Sequence, residues 1–303
     1  MRIQQINYSI IIPHKNSPDL LSRCLASIPD RDDVQVIVVD DNSDKDKKPV
    51  VDAQKAELIF LDEERAKGAG RARNIGMEKA KGKWLIFSDS DDCYTEHLNA
   101  FLDKYANDTD TDIVYLNVDC FNEKGETWPH EINSIIKAFL KGKSHAEKRL
   151  RYGIWTPWSR MVRKEIVEKH QLRFDELLTC NDKMFCLKCS KLAQKMAVEP
   201  TVIYHYYRPA GGSQTDKFRN SLVLDSLLDI CGQTISLYQE VGFSQIPSFL
   251  NYFVRSRYSV DLPLKVKVKK YRLALKKNKI CLCTDVIRFV SNKIALHWKN
   301  LIH

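Results

Sequence analysis

No stretch of this sequence approaches the roughly 18 consecutive apolar residues of a membrane-spanning helix. Residues 1–7 are polar and the apolar run after them is about six residues long, so a signal peptide is not expected. The nine cysteines follow no disulfide-framework spacing. Cys186-Leu187-Lys188-Cys189 is a lone CxxC without a matching second pair, which argues against zinc. These two cysteines fit successive helix turns, with Cys189 towards the core, and a reducing, cytosolic setting is the expectation. Internal repeats and low-complexity segments are also missing. Acidic residues are scarce in one place: residues 263–303 hold eleven Lys and Arg against the single Asp285. That stretch carries +10, while the preceding 262 residues hold 37 basic and 38 acidic side chains, so the basic character belongs to the tail alone.

What is present is enough for one large α/β domain plus an appendage, with 44% hydrophobic residues over 303 positions. Tyr8–Ile12, Val34–Val39, Leu58–Leu61, Trp84–Phe87, Ile113–Leu116 and Val202–Tyr207 read as strands. Their near-continuous hydrophobicity predicts strands covered on both faces, as in a parallel sheet. Ser17-Pro18-Asp19 predicts a capped helix start with Leu20, Leu21, Cys24, Leu25 and Ile28 on its apolar face. A further helix is expected after Pro49. Gly68–Gly76 is glycine-rich but lacks the Gly-Lys-Ser/Thr of a P-loop and the dinucleotide spacing. It reads as a loop entering a helix whose small face is Ala72, Gly76 and Ala80, with Arg71 and Arg73 either reaching an anion or simply solvated.

The acidic end of the fourth strand carries the sharpest signal. Asp89, Asp91 and Asp92 follow the last hydrophobic residue, and crowded carboxylates call for a divalent cation, a cationic partner or a raised pKa. On an extended backbone Asp89 and Asp91 would point the same way, with Asp92 turned elsewhere. Ligands gather at the carboxyl ends of such strands, so a hard metal ion with a phosphate-bearing ligand is one reading. A solvated turn capping a helix from about Thr95 is the other. Trp155-Thr156-Pro157-Trp158 is an aromatic knot that fits a sugar-stacking platform or ordinary core. Asp182 precedes a helix, where its plain role is a cap.

Taken in order, these pieces resemble the family 2 glycosyltransferases of the GT-A fold, over residues 7–215. Ser9-Ile10-Ile11-Ile12-Pro13-His14-Lys15-Asn16 looks like the family's first strand and nucleotide loop, which places Pro13, Lys15 and Asn16 at the donor. Val38-Val39-Asp40-Asp41-Asn42-Ser43 is similar to the segment whose aspartate, here Asp41, contacts the base. Ala72-Arg73-Asn74-Ile75-Gly76 and Phe87-Ser88-Asp89-Ser90-Asp91-Asp92 look like the run into the metal-binding motif. The resemblance implies Mn²⁺ or Mg²⁺ on Asp91, helped by Asp92, with Asp89 on the ribose and Arg73 on the nucleotide-sugar. Trp158-Ser159-Arg160-Met161 resembles an acceptor-side segment that usually carries lysine where Arg160 stands. Asn181-Asp182 falls where the family has Glu-Asp, so Asp182 is the implied catalytic base and Asn181 a departure. Arg208 and Ser213 resemble the loop that closes over the diphosphate.

The implied fold is a Rossmann-like, mostly parallel sheet flanked by helices at 1–215, with a helical extension at 216–303. The implied activity is inverting transfer from a nucleotide-diphosphate sugar, UDP-linked by the Asp41 argument, to a glycan or lipid-linked acceptor in surface polysaccharide synthesis. The competing readings are a GT-A domain that binds without turnover and another metal-dependent phosphate-ester enzyme. A haloacid-type phosphatase would need an aspartate after the first strand, where Pro13-His14-Lys15-Asn16 has none. The tail lacks the interleaved aromatics of a nucleic-acid motif, so no nucleic-acid partner is expected. Its basic residues, with Val286, Val290, Ile294, Trp298 and Leu301 on one helical stripe, fit an anionic membrane surface at the inner face of the plasma membrane, or packing against the protein.

Overall fold

A computed structural model describes residues 5–65, 67–177, 179–209, 221–259 and 262–302. The chain divides into two compact units, Met1–Glu176 with Asn181–Gly211, and Leu177–Cys180 with Gly212–His303. The boundary expected at 215/216 lies outside the described residues.

The first unit is built on strands β1 (Tyr8–His14), β2 (Val34–Asp40), β3 (Glu57–Phe60), β4 (Trp84–Phe87), β5 (Cys93–Tyr94), β6 (Ile113–Phe121), β7 (Thr127–Pro129), β8 (Arg160–Arg163) and β9 (Met196–Tyr207). They form one sheet in the order β3-β2-β1-β4-β8-β6-β9-β5, with β7 beside β6. β3, β2, β1 and β4 run parallel. β8 is antiparallel to both β4 and β6, and β6 pairs with β9 in parallel. The parallel half is the part that the continuous apolar runs predict: every residue of β1 and β4 is buried. β6 extends past Leu116 to Phe121 because β9 and β7 pair with its second half. Its register slips at Asn117, whose side chain donates to the Pro200 carbonyl at 2.7 Å, a bulge where the proline has no N–H to give.

The helices of this unit are α1 (Pro18–Ala26), α2 (Ala69–Lys79), α3 (Leu98–Tyr105), α4 (Glu131–Leu140), the single turn α5 (Ala146–Lys148), α6 (Lys164–Lys169) and α7 (Lys183–Leu192). Gly76 lets α2 lie directly on β1, since a Cβ there would sit 2.4 Å from Ile11 Cγ2. Ser17 does not cap α1 with its side chain; its hydroxyl turns back to the Lys15 carbonyl. No helix follows Pro49: Asp52 instead accepts the Gln54 N–H and closes a turn, and the segment has no apolar stripe to bury. Cys186 and Cys189 are both buried on α7.

The second unit contains α8 (Ser221–Glu240), α9 (Phe249–Ser259), α10 (Leu264–Lys277) and α11 (Leu282–Ile302). Leu224, Leu228, Cys231, Ile235, Phe249, Tyr271, Ala274 and Leu275 form its core. Asp285 of α11 is fully buried and accepts the N–H groups of Phe249 and Leu250 and the Tyr271 hydroxyl, each at 2.9 Å, which caps α9 from a neighbouring helix. Asn292, on the same side of α11, donates to the Ile246 carbonyl. Val286, Val290 and Ile294 are therefore turned outward and are 39%, 46% and 53% exposed. The side chains of Trp298 and Leu301 lie outside the described residues. Among the described residues, no helix is long and apolar enough to cross a membrane.

Candidate active site

β4 delivers its carboxylates into a turn, with the Asp92 N–H closing on the Asp89 carbonyl at 3.2 Å. Asp89, Asp91 and Asp92 each place a ligand atom within 4.8 Å of the others. The three are not equivalent. Asp92 is wholly buried, and its oxygens accept from the Tyr204 hydroxyl and the Tyr207 N–H, both at 2.6 Å. Asp89 accepts from Arg73 Nη2 at 2.6 Å, and its own N–H donates to Tyr204 Oη at 3.0 Å. No side chain among the described residues donates to the Asp91 carboxylate, which is met by its own backbone N–H. Its backbone carbonyl is held by Arg23 Nη2 at 2.5 Å, and the Arg23 guanidinium lies between Phe121 and Tyr207, 4.9 and 4.8 Å from their ring centres. Burial pushes the Asp91 carboxyl up to about 6, Asp89 adds repulsion, and Arg23 opposes both. Burial raises Asp92 as well, with Asp91 and Asp89 adding to it. Hard oxygen donors clustered this way suit Mg²⁺ or Mn²⁺, which take one or two carboxylates and leave positions for phosphate oxygens. Asp91 is the residue with a carboxylate to give.

The latch on Asp92 invites a test. Tyr204→Phe removes a hydrogen bond to a buried carboxylate, worth about 2 kcal/mol. The expected result is a lower urea midpoint for the full chain, with turnover falling because the Asp89 N–H loses its acceptor too. An unchanged midpoint would refute the latch.

On the other side of Asp89, α2 carries Arg73, which is 5% exposed. Its second nitrogen donates to Asn181 Oδ1 at 3.1 Å, and the guanidinium lies 5.4 Å from the Phe174 ring. Asn74 exchanges two hydrogen bonds with the Phe174 backbone, at 2.9 and 2.8 Å. Gly70 admits the Asp175 carbonyl to where a Cβ would be 2.1 Å away. Phe174, Asp175 and Asn181 are thus held against α2, and Asp182 follows at the start of α7. Its side chain caps no helix N–H, so the plain structural role is not filled. Burial pushes its carboxyl up to about 6, Arg73 pulls it down and Asp89 pushes it up.

The nucleotide loop is a third group. Buried His14 and Asp40 meet at 2.7 Å, and Ser43 closes on Asp40 through its N–H and hydroxyl. Asn16 and Asn42 both have left-handed backbones, φ 57° and 56°, which asparagine tolerates. Asp41 accepts the Gly68 N–H, with Lys15 Nζ 3.5 Å away; burial raises its carboxyl against the pull of Lys15 and Gly68. Pro13 is buried at the end of β1, and Lys15 extends half-exposed beside Asp41.

Both residues expected on the acceptor side are buried. Trp158 is 4% exposed and stacks on Tyr206 and Tyr204 at 4.9 and 5.6 Å, so it is core and not an open platform. Arg160 is fully buried: it donates to the Thr156, Cys186 and Ile154 carbonyls and to Ser190 Oγ, pinning the aromatic knot to α7. Arg160 therefore presents no exposed surface. Trp155 is half-buried, with Lys183 Nζ 5.3 Å from its ring, beside Asp182 in the chain. Arg71 pairs with Glu176 at 3.2 Å. Arg208 is exposed, its N–H on the Phe121 carbonyl. Ser213 lies outside the described residues.

Sequence reasoning did not identify Arg23, Tyr204 or Tyr207. Arg23 sits on the polar side of an amphipathic helix and carries no local signal; the tyrosines are marked only as part of an aromatic strand.

A curled, largely parallel sheet with acidic groups at its carboxyl edge defines a GT-A type of nucleotide-sugar domain. Residues 9–171 match the model of glycosyl transferase family 2, and the chain belongs to that family. The succinoglycan biosynthesis protein ExoO of Rhizobium meliloti is 29% identical over 216 residues, covering 66% of this chain and 60% of ExoO. Staphylococcus aureus TarS residues 1–349, solved with UDP-GlcNAc, superposes with a TM-score of 0.63 at 20% identity, over 90% of this chain and 80% of that one. The mannosyltransferase PcManGT of Pyrobaculum calidifontis, solved with GDP-Man and Mn²⁺, gives 0.52 at 15% identity, over 97% and 81%. The two superpositions establish the GT-A fold. The chain spans about 60% of the length of curated relatives such as ExoO.

Proposed function

We propose that this chain is an inverting glycosyltransferase. It moves a sugar from a nucleotide-diphosphate donor, in first place a UDP-sugar, to a hydroxyl of a glycan or lipid-linked acceptor in surface polysaccharide synthesis. The observation that carries the reading is Asp182: a half-buried carboxylate at a helix start that caps nothing, tied through Arg73 and Asn181 to the Asp89 turn. A divalent ion held by Asp91 would supply charge neutralisation to the departing diphosphate. Asp89 holds the ribose, Asp41 accepts an imide N–H of the base, and Lys15 and Asn16 flank it. Asp182 takes the acceptor hydroxyl proton as the bond to the anomeric carbon forms. Arg208, just after β9, meets the diphosphate in this reading. With one base and no nucleophile in this set, a single displacement with inversion follows. The setting is cytoplasmic, peripheral at the inner face of the plasma membrane.

Incubating a panel of nucleotide sugars with the full chain, with and without manganese, tests the proposal. Manganese-dependent release of the nucleoside diphosphate is expected from one class of donor. Binding without turnover across every donor and acceptor would favour a non-catalytic domain. Calorimetry should show UDP binding about tenfold tighter than GDP, ADP or UMP, a difference of the order of one good hydrogen bond. A preference for GDP would overturn the role given to Asp41.

A further inference from the structure

The basic tail is not uniformly solvated, and the structure sorts its charges. Lys267 is buried, Lys270 pairs with Asp225, and Lys277 pairs with Asp229 at 2.8 Å. On α10 this leaves Lys265, Lys269, Arg272 and Lys276, and among the described residues none of them is in an ion pair. At 100° per residue they fall in a sector of about 60° on α10. Tyr271, Ala274 and Leu275 occupy the opposite, buried side. Leu264, Val268 and Leu273 flank the four cations, and Leu264 and Leu273 are each 56% exposed. These seven residues make up one continuous face of α10.

We propose that this face of α10 docks on anionic phospholipid, with the cations on headgroup phosphates and Leu264 and Leu273 entering the interface. Charge complementarity decides the occupant. A second copy of the same face would set four cations against four, which rules out a self-complementary dimer through it. A soluble polyanion would satisfy the cations but leave both leucines in water. A membrane interface takes cations and apolar side chains together. The outward Ile287, Val290 and Ile294 of α11 add apolar surface in the same unit. The inference deepens the peripheral location given above and names the residues responsible.

Flotation of the full chain with vesicles of phosphatidylglycerol and phosphatidylcholine, against phosphatidylcholine alone, tests it. The chain should float with the anionic vesicles at low salt and be released by high salt. Changing Lys265, Lys269, Arg272 and Lys276 together to glutamine should lower partitioning by 100-fold or more, at roughly fivefold per cation. Changing Leu264 and Leu273 to asparagine should lower it about tenfold while keeping the salt dependence. Circular dichroism and UDP calorimetry on the same proteins separate a folding defect, or a failure of the catalytic reading, from a failure of docking. The lysine and arginine positions are exposed, and Lys269→Gln alone provides a graded version should the fourfold variant unfold. Equal flotation of the wild type with neutral vesicles, or of the glutamine variants with anionic ones, overturns the proposal. Leucine variants that float like the wild type, with polyphosphate competing fully, would assign the face to a soluble polyanion instead.

Discussion

Asp91→Asn should lower turnover about a thousandfold, the scale of removing one electrostatic contact to a developing charge, while leaving the fold intact. Asp91 is the carboxylate of its cluster that no other described residue's donor holds, whereas Asp92 and Asp89 are committed to Tyr204, Tyr207 and Arg73. The stability sign is informative. Burial raises the Asp91 carboxyl to about 6, so the folded protein holds this proton more tightly than the unfolded chain. Without a cation, the contribution of this group to stability is fully present at low pH and is lost as pH rises through the ordinary carboxylate range to about 6. Asparagine imitates the protonated form, so the variant should unfold at a higher temperature than the wild type at pH 7.5 in chelator. Manganese should then raise the wild-type midpoint and leave the variant's unchanged. Undiminished turnover in the variant, or in the wild type with excess chelator, would remove Asp91 from the chemistry.

Asp182→Asn should cost 100- to 10,000-fold in kcat, the span of general base catalysis, with donor affinity changed less than about twofold by calorimetry. The wild-type rate should rise with pH through about 6, because the raised carboxyl must lose its proton before it can accept another. In the variant that acid limb should vanish from the residual activity. An equal loss of donor affinity would mark Asp182 as structural, and a wild-type rate would exclude it. Arg73 is the internal control: it faces Asp182 and Asp89 together, so Arg73→Met should move the limb to higher pH without removing it.

Half of the sheet is legible in the sequence for a physical reason. β1, β2 and β4 are covered on both faces, so their burial is written as unbroken apolar runs. β8 carries no such run. Arg160 is buried with hydrogen bonds to the nearby Ile154 and Thr156 carbonyls and to the Cys186 carbonyl and Ser190 hydroxyl of α7, and Arg163 is partly covered by the face of Trp84, 3.7 Å away. The partners on α7 and Trp84 are far off in the sequence, and an arginine reads as surface until they are known. The same holds at the site. The acidic turn and Asp182 stand out by position, but the differences among Asp89, Asp91 and Asp92 depend on a tyrosine more than a hundred residues later. Arg23 belongs to the same class of residue.

The Arg73 fork acts as a ruler. One guanidinium grips the turn that would release the diphosphate and the segment that would take the proton, and Phe174 keeps it flat between them. The separation of the two reacting ends is therefore written in a side chain of fixed length on a helix, apart from any loop that selects a sugar. Such loops can drift, lengthen or trade specificity across a lineage while the stroke of the reaction stays the same. A lysine at this position would end that freedom, because a single ammonium cannot span two partners in a fixed plane.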